Sequence, residues 1–313
     1  MHQEREPAVV VDGLRKTYGT KVAVEEISLS VAEGEIFGIL GPNGAGKTTT
    51  VESIAGLRVG DKGRIRVHGI DPWSDREALT KVLGVQLQES KLQPKITVRE
   101  ALELWSAFYP DPEPWPALAE RLGLGDHLDQ RFEKLSGGQQ QRLSIALALV
   151  GKPRIVILDE LTTGLDPRAR REVWKMVENI RDRGVTVLLV THFMEEAQSL
   201  CDRVAIVDRG RVRALDTPAA LIDRASAATI TTFVPSAPVD LEALRTLPGV
   251  ASAHSENGTV AIEGAEGTAL ALMRALADQD VVPGRLRVEA GTLDSAYLDL
   301  TEDTTDDTME KTR

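Results

Sequence analysis

Apolar residues in the first two thirds of the chain fall in short continuous runs, separated by stretches of helical period. Ile36 to Leu40, Val82 to Leu87, Arg154 to Leu158 and Val185 to Val190 are β-branched runs of the kind buried on both faces, and read as strands. Between them the spacing changes. Val173, Met176, Val177 and Ile180 recur at i, i+3, i+4 and i+7 behind Asp166, a capping side chain, and Pro167, suited to the first helical position; Gly184 ends the helix. Thr97-Val98-Arg99-Glu100 forms a capping box, whose hydroxyl and carboxylate satisfy free amides at a helix start. Pro110, Pro112, Pro114 and Pro116 cut that helix, so a loop follows. Alternation of this kind predicts an α/β core with a parallel sheet. A mostly helical insert occupies residues 97 to 135, or about 97 to 150 with the helix that follows.

After a hairpin at Arg203 to Leu215, turning at Asp208-Arg209-Gly210, the pattern changes near Pro218 to Ala227. The expected elements are then a strand Thr229 to Val234, a helix Asp240 to Leu247, and two strands flanking the turn Asn257-Gly258. A helix Thr268 to Ala277, a strand Arg285 to Glu289 and a helix Leu293 to Leu300 follow. The order βαββαβ is that of a small α+β, ferredoxin-like unit. The expected division is therefore 1–222, 223–300 and a Thr/Asp-rich tail, 301–313, with the composition of a disordered segment.

Composition sharpens this division. The chain has 313 residues and a net charge of −11, yet residues 224–313 hold 7 basic and 15 acidic side chains, leaving the first part nearly balanced. The acidic balance argues against a general grip on nucleic acid, which needs a Lys/Arg excess. No apolar window approaches the ~18 to 20 residues of a membrane span. The start of the chain lacks the pattern of a secretory signal. A single cysteine, Cys201, excludes an internal disulfide. The expected setting is cytoplasmic.

The strand Ile36 to Leu40 runs straight into Gly41-Pro42-Asn43-Gly44-Ala45-Gly46-Lys47-Thr48, which fits G-x-x-x-x-G-K-[ST]. Glycines there let backbone N–H groups approach phosphate oxygens. Lys47 is placed to reach the β- and γ-phosphates and Thr48 to ligate Mg²⁺, at a helix N-terminus that favours anions. The apolar strand Ile155 to Leu158 ends in Asp159 and Glu160, one to hold the Mg²⁺ shell and one to take a proton from attacking water. Leu135-Ser136-Gly137-Gly138-Gln139-Gln140-Gln141-Arg142 opens a further helix, and is a second anion site in the same chain.

With this last run the chain resembles the ATP-binding subunits of ABC transporters, whose signature is LSGGQ. The resemblance covers residues 9 to about 222. It implies a P-loop ATPase using ATP and Mg²⁺, in which two subunits pair head to tail. Each ATP then lies between one subunit's phosphate loop, Gly41 to Thr48 with Thr49, and the partner's Ser136, Gly137, Gly138 and Gln139. By the same resemblance Tyr18 stacks on adenine. Gln88, with Thr48 and Asp159, belongs to the Mg²⁺ site and reports to the membrane partner, with Gln86 as a rival. Asp166 lies in the loop crossing the dimer interface, and His192 contacts the γ-phosphate beside the catalytic Glu160. The family usually has Pro after that glutamate; here it is Leu161, which restores an N–H and frees φ.

The runs Gln88-Glu89-Ser90, Thr162 to Pro167 and Leu293 to Thr301 look like the daunorubicin-resistance type of exporter ATPase. The implied role is to drive a separate membrane permease, exporting drugs or other hydrophobic or lipid-like compounds, from the inner face of the membrane. An importer subunit is one alternative, and a soluble ABC ATPase acting on DNA or ribosomes another. The second alternative lacks the coiled-coil insertions or zinc modules usual to it; a six-helix membrane protein encoded alongside would support export, and its absence would favour this second alternative. The acidic C-terminal part shows no convergent polar cluster, so a structural role in strengthening the dimer is expected of it ahead of a regulatory role in binding a ligand or partner.

Overall fold

The structure is a computed structural model that describes residues 7–87, 92–224, 229–265 and 267–302. By contacts the chain divides into two compact units, Met1–Leu215 and Asp216–Arg313, a boundary somewhat earlier than 222.

In the first unit, β1 (Val9–Tyr18) and β2 (Lys21–Val31) are an antiparallel pair matching Val9 with Val31 and Tyr18 with Lys21. Every residue of β3 (Ile36–Leu40) is buried, and it leads through the glycine loop into α1 (Lys47–Ile54). Next come β4 (Lys62–Val67), antiparallel to β1, and α2 (Arg76–Val82), capped by the Asp75 side chain. The run Val82 to Leu87 is thus shared: Val82 ends α2, and the strand β5 is Leu83–Gln86.

The insert comprises α3 (Val98–Ser106) and α4 (Trp115–Arg121), joined by the Pro-rich loop, with two short 3₁₀ turns, Gly125–His127 and Phe132–Lys134, before α5 (Gly137–Leu149). Both bonds of the Thr97–Glu100 capping box are made. Pro116 lies inside the first turn of α4 rather than in the loop, where its missing N–H costs no bond. Then follow β6 (Ile155–Asp159), α6 (Pro167–Asp182), β7 (Thr186–Thr191), α7 (Met194–Leu200), β8 (Arg203–Asp208) and β9 (Arg211–Asp216).

These strands form one sheet in the order β4-β1-β2-β9-β8-β3-β7-β6-β5. From β8 to β5 the neighbours are parallel, as expected. The antiparallel group β1, β2 and β4 was not foreseen. Its strands are buried on one face, and alternation along β2 seats Ile27, Leu29 and Val31 in the same core as Phe37, Ile157 and Val190. Because β3 is central, its C-terminal end, with those of β6 and β7 beside it, is where a ligand of an open α/β sheet is received.

The second unit contains α8 (Pro218–Arg224), β10 (Thr229–Pro235), α9 (Leu241–Arg245), β11 (Val250–Glu256), β12 (Thr259–Gly264), α10 (Thr268–Asp278), β13 (Pro283–Ala290) and α11 (Leu293–Glu302). Its sheet runs β11-β12-β10-β13, with each paired neighbour antiparallel, which is the ferredoxin-like order. Phe233, Ile262, Leu272 and Leu276 form its own core.

Candidate nucleotide site

Three glycines of the loop after β3 have left-handed or extended positive φ: Gly41 at 152°, Gly44 at 84° and Gly46 at 105°. Two of them are also pressed against backbone. A Cβ at Gly41 would stand 2.1 Å from the Val207 carbonyl oxygen, and one at Gly46 would stand 2.6 Å from that of Ala23. The Gly210 N–H bonds the Ala45 carbonyl at 2.9 Å, so β8 and β9 also brace the loop. Gly46 is the N-cap of α1 and has no side chain to satisfy the first amides of the helix, so these remain for an anion.

Lys47 is buried at the first position of α1, and its Nζ donates to the Gly41 and Pro42 carbonyls at 2.7 and 3.0 Å. Burial lowers its pKa, opposed by the charges of Glu160 and Asp159. Glu160, just past the end of β6, lines one cleft with the loop. A cleft of about 230 Å³ is lined by Tyr18, Asn43, Gly44, Lys47, Thr48, Thr49 and Glu160, among others. Tyr18 is 39% exposed at its rim, with Lys16 and Arg58 each 5.7 Å from the ring centre.

Asp159 is buried at the end of β6, and its N–H is held by Gln86 Oε1 at 3.1 Å. Gln86 is therefore a brace of the sheet, while Gln88 lies outside the described residues. Glu160 has φ 50°, a left-handed backbone that few side chains adopt without constraint. Its N–H donates to the Val190 carbonyl at 2.8 Å, and His192 Nδ1 lies 3.2 Å from its Oε1. The His192 ring lies tilted against that of Phe193, with centres 4.0 Å apart, and the Phe193 N–H is fixed by the Thr191 hydroxyl. Leu161 is 1% exposed, so its extra N–H comes with a side chain anchored in the core.

The signature residues stand elsewhere. Ser136 is the N-cap of α5, in a capping box with Gln139. Ser136, Gly137, Gly138 and Gln139 line a separate cleft of about 320 Å³, together with His127, Arg142, Leu165, Asp166 and Glu172. Asp166 caps α6 by accepting from the Arg168 and Ala169 amides at 2.9 and 3.0 Å, and those bonds lower its pKa. None of the residues lining this cleft lines the phosphate-loop cleft.

Three supporting residues went unnoticed in the sequence. Asp61 accepts from the Thr17 N–H and hydroxyl at 2.7 and 2.6 Å and from Lys16 Nζ at 3.0 Å, fixing the strand end that carries Tyr18. Glu196 is buried on α7, where burial raises its pKa against the pull of Thr191, Thr162, Trp174 and Arg170, and its Oε1 accepts from Trp174 Nε1. His127 contacts the signature helix. None of the three belongs to a run with a recognisable pattern; each contributes through a partner distant in sequence.

A central parallel strand feeding a glycine loop, with a carboxylate pair on the next strand but one, defines a P-loop nucleoside triphosphatase. Residues 24–163 match the family model described as ABC transporter. The chain is 43% identical over 223 residues to the Nod factor export ATP-binding protein I of Paraburkholderia xenovorans strain LB400, covering 69% of this chain and 73% of that protein. It is 41% identical over 222 residues to the protein of the same name from Rhizobium sp. strain N33, covering 69% and 73%.

Among solved structures it resembles cbiO1 of Clostridium perfringens, part of an ABC transporter complex, with TM-score 0.63, 26% identity, and coverage of 70% and 91%. It also resembles an ATP-binding cassette solved as a dimer in a post-hydrolysis state bound to ADP and Pi, with TM-score 0.61, 28% identity, and coverage of 67% and 98%. The chain belongs to the ATP-binding subunits of ABC transporters. It is an ATPase, and ATP with Mg²⁺ is what its phosphate loop takes. The loop fits them: the Gly46 cap leaves the first amides of α1 without a side-chain partner, and Lys47 and Thr48 line the cleft beside Glu160. Among the described residues no helix is long and apolar enough to cross a membrane.

Proposed function

We propose that this chain is the ATPase of an exporter, acting as a homodimer beneath a separate permease on the inner face of the membrane. The carrying observation is that its two anion-binding loops line different clefts of one chain, so that each ATP needs a second copy to supply Ser136 to Gln139. Export is supported by relatives named for Nod factor export, and a drug-like or lipid-like cargo of the daunorubicin-resistance type fits the chain's own runs.

In this reading Tyr18 stacks on the adenine and the loop Gly41 to Thr49 binds the phosphates through its amides, with Lys47 neutralising their charge. Thr48, Asp159 and Gln88 hold the Mg²⁺, which withdraws charge from the phosphate oxygens when bound. Glu160 accepts the proton of the attacking water, and His192, in contact with it, orients the carboxylate toward the γ-phosphate. Asp166 crosses to the partner. Closure of the dimer on ATP passes to the permease through Gln88 and the helical insert.

Glu160→Gln tests the reading. The variant is expected to bind ATP, to remain dimeric with ATP on size exclusion, and to lose turnover by about a hundredfold or more. Steady-state hydrolysis near that of the parent would remove Glu160 as the base.

A further inference from the structure

The side chain of Gln139 has two ends with different tasks. Its Oε1 accepts from the Ser136 N–H at 2.8 Å, so its Nε2 must face the other way, where it meets His127 Nε2 at 2.9 Å. A carboxamide nitrogen only donates, so His127 Nε2 is the acceptor. On the other side of the ring, Gln130 Nε2 donates to the Lys134 carbonyl at 2.7 Å. Gln130 Oε1 therefore faces His127 Nδ1, at 3.1 Å, and Nδ1 must donate. Both carboxamides are oriented by backbone groups that cannot exchange roles. Only the neutral imidazole with its proton on Nδ1 satisfies every member of the chain from Lys134 to Ser136.

We propose that His127 is a positioning residue for the signature helix: neutral, it holds the Gln139 carboxamide in the capping box with Ser136, and protonated it releases it, so that ATP turnover slows in acid. A proton on Nε2 would confront the Gln139 Nε2–H group, donor against donor. Turning the carboxamide over would restore that contact but set its N–H group against the Ser136 N–H. Either arrangement loses a bond at the start of α5, where Gly137 and Gly138 follow the Ser136 cap. The inference rests on the proposed role of that turn toward the partner's ATP.

The charged groups around the ring are of both signs. Arg142 from α5 and Asp166 and Glu172 from the start of α6 line the same cleft, with Arg142 paired to Glu172. Asp126 and Asp129 flank His127 in the chain, Asp129 bonded to Arg99 at 3.0 Å, and Arg131, Glu133 and Lys134 follow in the same connection.

Two measurements on the full-length chain test this. The first reads the tautomer in long-range ¹H–¹⁵N spectra of nucleotide-free protein labelled at its five histidines, with His127→Gln assigning the signal. The Nδ1–H form at pH 7.5 is expected; the Nε2–H form or the cation there would overturn the proposal without reference to any activity. The second is steady-state ATPase activity from pH 7.5 to 5.5. His127→Leu is expected to lower kcat about fivefold at pH 7.5, the scale of one hydrogen bond, with KM for ATP within about twofold. His127→Gln, whose carbonyl accepts the same proton without titrating, is expected to recover most of that kcat and to lose less activity in acid than the parent. Parallel acid losses in parent and His127→Gln, or a His127→Leu variant with parental kcat, would break the link to the signature. Failure of the reading that the signature turn meets the partner's ATP would appear separately, in a Ser136→Arg variant that turns over like the parent.

Discussion

Glu160 and Asp61 show how single residues support the cleft from opposite sides. Glu160 is held in a left-handed conformation by the bond from its N–H to Val190, which turns its carboxylate toward His192 and the phosphate loop. Such backbone strain has a typical cost of ~1 to 3 kcal/mol and persists where the surroundings enforce it. Asp61 acts from the Tyr18 side. Hydrogen bonds from Thr17 and Lys16 hold its pKa down at about 2, below the ordinary 3.8. A depressed carboxylate stabilises the fold fully above its unfolded pKa and loses that contribution as pH falls through the folded value. Asp61→Asn is therefore expected to melt below the parent at neutral pH, with the gap narrowing from about pH 4 toward 2. Thermal melts across that interval check it, and a gap independent of pH would show that the bonds do not depend on the charge.

At the scale of elements, caps decide where the functional helices begin. The Thr97–Glu100 box starts α3 and the Ser136–Gln139 box starts α5. Thr97→Ala removes one box away from the nucleotide cleft and is expected to destabilise the first unit by about 1 kcal/mol, read as a lowered denaturant midpoint with KM for ATP unchanged. The buried strands were legible because a strand covered on both faces is a continuous apolar run, as in Ile36 to Leu40 and Ile155 to Leu158. β1, β2 and β4 were not, because a one-sided strand mixes charged residues with its core positions: β4 buries only Ile65 and Val67 among Lys62, Arg64 and Arg66. The site divides in the same way. The phosphate loop and signature are contiguous, so residue spacing alone exposes them. Asp61 and His127 act through partners that only the fold brings near, and no local pattern marks them.

On the scale of the whole molecule, each unit has a core of its own, which bears on what can be removed. A chain ending after Asp216 keeps the nine-stranded sheet and both clefts. It is expected to bind a fluorescent ATP analogue with affinity within about threefold of the full chain, a shift below ~1 kcal/mol. Loss of binding would make the second unit part of the engine.

The separation of the phosphate-loop and signature clefts also governs inheritance. In the proposed pair every chain lends half of itself to each of two sites, so one substitution at Lys47 or Ser136 is written into the assembly twice. Where intact and defective chains mix freely, the share of pairs with both sites whole falls as the square of the intact fraction. A lesion of this kind is therefore felt well before the intact chains run out.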